Sequence, residues 1–315
     1  MSAVADQAMT DKTHTKPKRP LARKLVAAIP YAWLVVFFLV PFAIVLKISL
    51  SQSAIALPPY TPVLDPASGW HGLADFIAGL SLDNYRLIGS DPLYLLSYLK
   101  SVEVAAFSTL LLLVIGYPIA YGIARTPRRL QAVLVILVVL PFWTSFLIRI
   151  YAWMNILQHD GLLNRLLLAL HIVRDPPVWL STDTATYIGM VYSYLPFMVL
   201  PLYAVLEKLD QSLVEAAADL GCPRSRTFWL VTLPLSAPGV VAGVLLCFIP
   251  IVGEFVIPDL LGGSRMPMIG QTIWMEFFGN KDWPAAGAVA VALVCLLVTP
   301  IVLFQHQAMR AGERD

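Results

Sequence analysis

Of the 315 residues, 58% are hydrophobic and only 13% are charged, about half the charge of an ordinary soluble domain. That balance excludes a chain that covers itself in water. The net charge of +2 says little about partners, because in a membrane protein the position of each charge matters more than the sum.

The opening residues 1–24 are polar and carry Lys12, Lys16, Lys18, Arg19, Arg23 and Lys24, which reads as a basic cytoplasmic tail. The apolar run that follows is too long for a signal-peptide core and lacks a small-residue cleavage site, so it is expected to be a retained span. A span needs about 20 apolar residues, each rising about 1.5 Å through roughly 30 Å of hydrocarbon. Six runs without a charged residue meet that length: 25–46, 104–124, 130–148, 185–206, 234–253 and 284–304. An eight-residue piece, 166–173, is too short to cross and is expected at an interface or over a loop. The predicted fold is therefore all-α and polytopic. One six-span domain covers 25–308, and a short cytoplasmic tail follows at 309–315.

Orientation follows from lysine and arginine. With the N-terminus inside, the inner segments hold the six tail residues, then Arg125, Arg128 and Arg129, Lys208, Arg224 and Arg226, and Arg310 and Arg314. The much longer outer segments hold only Arg86, Lys100, Arg165, Arg174, Arg265 and Lys281. Both termini are predicted to be cytoplasmic. Pro41, Pro118, Pro141, Pro196, Pro201, Pro250 and Pro300 lie within the spans, each removing a backbone hydrogen bond. So many together favour a bent bundle around a cavity, where freed carbonyls find partners.

Cys222, Cys247 and Cys295 are odd in number and widely spaced, which suggests neither disulfides nor a zinc site. His14, His71, His159, His171 and His306 all fall outside the charge-free runs and show no metal-ligand spacing. A membrane-embedded enzyme is disfavoured on that ground, and no metal or catalytic residue is expected. The Gly-x-x-x-x-Gly-Lys-Ser/Thr phosphate loop is absent from the sequence, so this chain is not expected to hydrolyse a nucleotide or to bind a cofactor. ATP and Mg would belong to a partner.

The loop at 207–234 reads EKLDQSLVEAAADLGCPRSRTFWLVTLP. Two short helices joined by a turn are predicted, with Ser212 capping the first and Glu215 completing a capping box. Leu213, Ala216, Ala217 and Leu220 share one helical face, and Gly221 supplies the freedom for a sharp turn. Arg224 and Arg226 flank the second helix, ahead of Phe228 and Trp229. Glu215, Ala216 and Ala217, then Gly221, then Val231, Leu233 and Pro234 resemble the EAA loop of ABC-importer permeases. That pattern is EAA, three residues, Gly, nine residues, Ile-x-Leu-Pro, with Val231 here in place of isoleucine. The resemblance implies a type I importer fold and a coupling helix seated in a groove of an ATPase subunit. Its coupling residues would be Glu215, Ala216, Ala217, Asp219, Gly221, Arg224, Leu233 and Pro234.

Longer strings narrow the resemblance. LPFWTSFLIRIYAW at 140–153, VYSYLPFMVLPLYA at 191–204, GEFVIPDLLGG at 253–263, and MIGQTIWMEFF with NKDWPAAGAVA within 268–290 resemble the spermidine/putrescine permease family. Within it they are most similar to the first permease subunit of the putrescine importer, and permeases for opines and other organic cations share parts of them. The resemblance implies two ATP-binding subunits, a second homologous permease and a periplasmic polyamine-binding protein as partners. The setting is the bacterial inner membrane, and no nucleic acid is expected.

A polyamine path calls for carboxylates and aromatic faces. Glu254, Asp259 and Glu276 offer the first; Trp143, Tyr151, Trp153, Tyr192 and Tyr194 offer the second, although Tyr and Trp also serve as interface anchors. Arg149 lies 20 residues beyond Arg129, and Glu254 lies 20 beyond Pro234, so both should sit roughly 30 Å from the inner surface. Their pairing is expected, either as a gate that frees Glu254 for substrate or as a permanent structural bridge. Lys47 and Glu103 read as interfacial residues. The segment 51–91, with Asp65, Asp75, Asp83 and Asp91, is either a docking surface for the binding protein or a solvated loop. A secondary transporter is the remaining reading of another class; it would show inverted repeats and several buried charges.

Overall fold

The computed structural model describes residues 21–63, 76–263 and 266–312. The basic tail up to Pro20, together with Asp65, Asp75, Arg265 and Arg314, lies outside the described residues. The chain divides into two units, Met1–Lys47 and Ile48–Asp315.

The first unit carries one apolar rod: α1 (Leu21–Leu34), a π-helical turn (Val35–Leu39) and the start of α2 (Val40–Ser49). Val40 donates to the carbonyl of Val35, a five-residue step that widens the helix just ahead of Pro41, whose ring has no N–H to offer. The stretch Ala28–Ser49 is long and apolar enough to span a membrane.

The second unit opens with a small antiparallel pair, β1 (Gln52–Ser53) and β2 (Tyr60–Thr61), in the register Gln52 with Thr61 and Ser53 with Tyr60. This hairpin is a departure from the all-α expectation. Its tip carries Ile55 and Leu57, both fully exposed. Helix α3 (Asp83–Ser90) leads to α4 (Pro92–Arg125), a 34-residue helix. Asp91 caps α4, a carboxylate oxygen accepting from the backbone N–H of Leu93 at 2.9 Å, and Pro92 takes the first-turn position where no donor is needed.

The third apolar run is not one rod. Helix α5 (Arg128–Val139) passes into a 3-10 turn (Leu140–Trp143), then α6 (Phe146–Leu157) and α7 (Leu162–Ala169). The two halves meet at 88°. Pro141 cannot donate, and the residues after the turn are extended, Thr144 at φ −94°, ψ 154° and Ser145 at φ −57°, ψ 140°. Thr144 closes the turn by donating its hydroxyl to the carbonyl of Pro141 at 2.8 Å. The expected span 130–148 is thus a broken element.

Helix α8 (Asp183–Leu206) runs through Pro196 and Pro201 without a break, as does α11 (Leu233–Val252) through Pro238 and Pro250. Between them lie α9 (Gln211–Asp219), α10 (Arg224–Thr227) and a π-helical turn (Phe228–Thr232). After α11 come α12 (Val256–Leu260), α13 (Ile269–Trp274), a π-helical turn (Met275–Gly279) and α14 (Trp283–Gly312). Four helices, within Ala28–Ser49, Pro92–Arg125, Asp183–Leu206 and Arg224–Val252, are long and apolar enough to cross a bilayer, and the bent pair makes a fifth if counted as one span. The sixth predicted run lies in α14.

Helices α4, α8 and α11 pack against one another and hold the core, where Leu112, Met198, Leu202 and Ile251 are fully buried. Lipid tails are as apolar as leucine, so burial alone cannot order such a bundle, and close packing together with polar contacts fixes it. Tyr117 and Ser236 share a buried hydrogen bond of 2.8 Å between α4 and α11. Ser97 and Ser101 of α4 bind α13, Ser101 accepting from the Ile269 N–H at 2.7 Å and Ser97 accepting from the Thr272 hydroxyl at 3.2 Å. Lys100 of α4 reaches Asp183 at the start of α8 at 3.0 Å and Glu103 at 3.6 Å. Away from the core, Leu110, Val114, Ile115 and Leu246 face outward, a surface suited to hydrocarbon.

Candidate functional site

The loop between α8 and α11 folds as two short helices about a turn. The cap of α9 is Asp210, whose carboxylate accepts from the Ser212 N–H at 2.9 Å, and not the expected Ser212. Both are good capping residues. The helix starts two residues earlier because the turn after Leu206 delivers Asp210 in extended geometry, φ −66°, ψ 118°. The Ser212 backbone N–H, with its side chain, holds the Asp210 carboxyl below its usual range.

The far end of α9 closes on Gly221. Cys222 N–H donates to the Ala217 carbonyl at 3.0 Å and Gly221 N–H to the Ala218 carbonyl at 2.9 Å, a Schellman pair. Gly221 has φ +79°, and a Cβ there would meet nothing within 4 Å. Glycine is needed here for its backbone freedom and not for space. Glu215, Ala216, Asp219, Gly221 and Arg224 are exposed, as is Pro234, while Ala217 and Leu233 are half-buried. Leu213 and Leu220 turn outward, Leu220 with 89% of its surface free. Behind the loop, Glu215, Arg224, Arg125, Tyr121 and Phe228 line a cavity of about 520 Å³. Among the described residues no ion pair holds Glu215.

The second cluster of interest surrounds Glu254, just past α11. One carboxylate oxygen accepts from the Tyr194 hydroxyl at 2.6 Å and the other from the Val256 N–H at 3.0 Å. The backbone here is pressed against α13: a Cβ on Gly270 would fall 2.5 Å from the Gly253 carbonyl oxygen and 2.8 Å from that of Glu254.

The expected Arg149–Glu254 ion pair is not formed. Arg149 is 8% exposed, and its guanidinium carbon lies 4.4 Å above the Phe142 ring centre and 5.8 Å from that of Phe146. Its Nε and one terminal nitrogen are buried without a hydrogen-bond partner. The break at Thr144–Ser145 explains the difference: it folds the start of α6 back onto the 3-10 turn, so the guanidinium meets Phe142 instead of a carboxylate. A line of rings nevertheless joins the two charges. Phe142 meets Phe197 edge-on at 5.3 Å, Phe197 lies 6.1 Å from Tyr194, and Tyr194 donates to Glu254.

The remaining sequence candidates are dispersed. Trp153 packs edge-on against Tyr192 at 5.4 Å. Trp143 and Tyr151 are exposed, 77% and 46% respectively, and Asp259 is exposed on α12. Glu276 stands in a separate cluster, accepting from the Tyr94 hydroxyl at 3.1 Å and from the Asn280 amide at 2.8 Å. Of the acids in 51–91, Asp91 serves as the α4 cap and Asp83 binds Ser81 and Arg86 locally. Phe142 and Phe197 were not singled out from sequence. Nothing in their spacing marks them, because packing across a broken element brings them together.

Residues 113–310 match the family model described as the binding-protein-dependent transport system inner membrane component. The chain is 36% identical over 282 residues to the spermidine/putrescine transport system permease protein PotB of Haemophilus influenzae, covering 90% of this chain and 92% of that one. It is 41% identical over 225 residues to PotB of Escherichia coli, covering 71% and 81%. In fold it is similar to the crystal structure of a bacterial alginate ABC transporter in complex with an alginate-pentasaccharide-bound periplasmic protein. The TM-score there is 0.69 at 15% identity, over 92% of this chain and 94% of that one. With its match over most of the chain, this protein belongs to the family of inner membrane components of binding-protein-dependent transport systems.

Proposed function

We propose that this chain is one of two permease subunits of an ATP-driven importer that carries a polyamine, putrescine first and spermidine next, across the bacterial inner membrane. Six spans are counted, the broken pair as one and α14 as the sixth, with both termini proposed to be cytoplasmic. The partners are two ATP-binding subunits, a second homologous permease and a periplasmic polyamine-binding protein. Neither ATP nor Mg is held by this chain; both act on the ATPase partner.

The observation that carries the reading is the 207–234 loop. Its apolar residues Leu213 and Leu220 point away from their own chain, next to an exposed and unbridged Glu215. A helix with an outward apolar face and exposed, unbridged acids is built to sit in another protein's groove. Closure of the ATPase pair on ATP moves this helix and tilts the spans, opening the path outward, and hydrolysis returns it inward. Glu215, Ala216, Ala217, Asp219, Gly221, Arg224, Leu233 and Pro234 form the coupling surface. Support for the polyamine comes from the PotB relatives, whose names specify spermidine and putrescine, and from the Tyr194–Glu254 pair with its aromatic neighbours, suited to an ammonium group. Tyr192, Glu276, Asp259, Trp143 and Tyr151 are proposed to line the approach.

The test is uptake of labelled putrescine and spermidine into vesicles holding the full assembly, with and without ATP. ATP-dependent accumulation of either is expected. Uptake that persists without ATP overturns the importer reading in favour of a secondary transporter. ATP-dependent uptake of another organic cation alone overturns the polyamine.

A further inference from the structure

Arg149 is the one described basic side chain that is more than nine-tenths buried, and two of its nitrogens have no hydrogen-bond partner. A charge sheltered in this way is expensive unless something compensates it. Here the compensation is aromatic: Phe142 at 4.4 Å and Phe146 at 5.8 Å. The same Phe142 begins the ring line through Phe197 and Tyr194 to the Glu254 carboxylate. Phe197, in the middle of that line, is 40% exposed, so the line opens toward the surface of this chain. A carboxylate at one end of a run of aromatic rings is what an alkylammonium requires, and a guanidinium already rests at the other end.

We propose that the Phe142–Phe197–Tyr194–Glu254 line is a polyamine track with an ammonium position at each end, and that Arg149 is the resident cation of one end, occupying the Phe142 face until a substrate ammonium displaces it. This deepens the polyamine reading and rests on it. An empty carboxylate–aromatic site in a membrane admits any small cation. A tethered guanidinium of matching chemistry lets in only a cation that gains more from Glu254 and the rings than the guanidinium loses. Arg149 is in this sense a specificity-determining residue.

The experiment measures equilibrium binding of labelled putrescine to the purified permease–ATPase assembly without binding protein, alongside ATP-driven uptake by the wild type. Removing the competitor in Arg149→Met is expected to tighten putrescine binding about tenfold, the scale of one cation–ring contact. Arg149→Gln, which keeps donors for any structural role but no charge, is expected to tighten it equally. Arg149→Lys is expected to bind as wild type does. Unchanged or weaker binding in Arg149→Gln overturns the proposal. Failure of both neutral variants to assemble also overturns it, because a cation that must step aside cannot be required for folding. A wild type that takes up neither polyamine overturns the underlying substrate reading instead, and is told apart by that uptake control.

Discussion

Glu254 commits both oxygens to its own chain, one to Tyr194 and one to the Val256 backbone. A carboxylate so held is aimed, and on the proposed path an incoming ammonium would find its remaining lone pairs already oriented. Charge and aim can be separated by substitution. Glu254→Gln keeps the shape and removes the charge, so a charge-assisted bond worth about 1.5–3 kcal/mol is lost. Putrescine uptake is expected to fall by about 10- to 100-fold in vesicles while the assembly stays intact by gel filtration. Tyr194→Phe keeps the charge and loses the orienting donor. Its expected signature is a lower midpoint of thermal unfolding with uptake reduced far less than in Glu254→Gln. Gly270 guards the same spot from behind. A methyl there would press into the Gly253 and Glu254 carbonyls, so Gly270→Ala is expected to destabilise the assembly by about 1–3 kcal/mol, read as a fall in its unfolding midpoint.

The loop proposed to couple to the ATPase turns on backbone geometry at one residue. Gly221 at φ +79° lies in open space, so a substitution is penalised by strain and not by collision. A β-branched residue there costs about 1–3 kcal/mol, whereas Asn enters the left-handed region readily. Gly221→Val is therefore expected to abolish uptake and the stimulation of ATPase activity by binding protein, with Gly221→Asn retaining most of both. Glu215→Lys, and Gly221→Asp through the negative charge it adds to the proposed docking turn, are each expected to abolish uptake with the protein still present in the membrane fraction. Much of this element was legible in the sequence, because the glycine and alanine pattern reports local backbone demands. Its cap was not: Asp210 and Ser212 are both capping residues, and only the geometry leaving α8 chooses between them. The spans show the same division. Charge-free length located α8 and α11 to within a few residues. The charge-free run starts at 104 and the helix at Pro92, because Lys100 is folded into the helix by pairing with Glu103 and Asp183. Pro141 announced a bend, but no hydropathy pattern distinguishes a kink from the 88° break that Thr144 and Ser145 produce. The ring line from Phe142 to Glu254 depends on that break, which is why sequence offered Tyr194 and Glu254 and passed over the phenylalanines between.

At the scale of the whole molecule, the reading requires the hairpin tip with Leu57 and the coupling helix with Leu220 to face opposite compartments. Both residues are nearly or fully exposed and apolar, so each is a site where cysteine replaces a side chain that the described fold does not use for packing. The native thiols set the background. Cys247 is fully buried with its sulfur 3.7 Å from the Tyr194 carbonyl, Cys222 is half-buried, and Cys295 is exposed. Replacing Cys222 and Cys295 with serine leaves a quiet chain. In that background, Leu57→Cys is expected to react with a membrane-impermeant maleimide in intact cells. Leu220→Cys is expected to react only after the inner membrane is opened, and to lose that reactivity when the ATPase subunit is bound. With both termini inside as proposed, fourteen lysines and arginines fall on the Leu220 side and six on the other. That asymmetry makes the opposite orientation costly. Labelling of Leu220→Cys from outside intact cells, or labelling unaffected by the ATPase, removes the mechanical link between nucleotide closure and the bundle, and the importer mechanism with it.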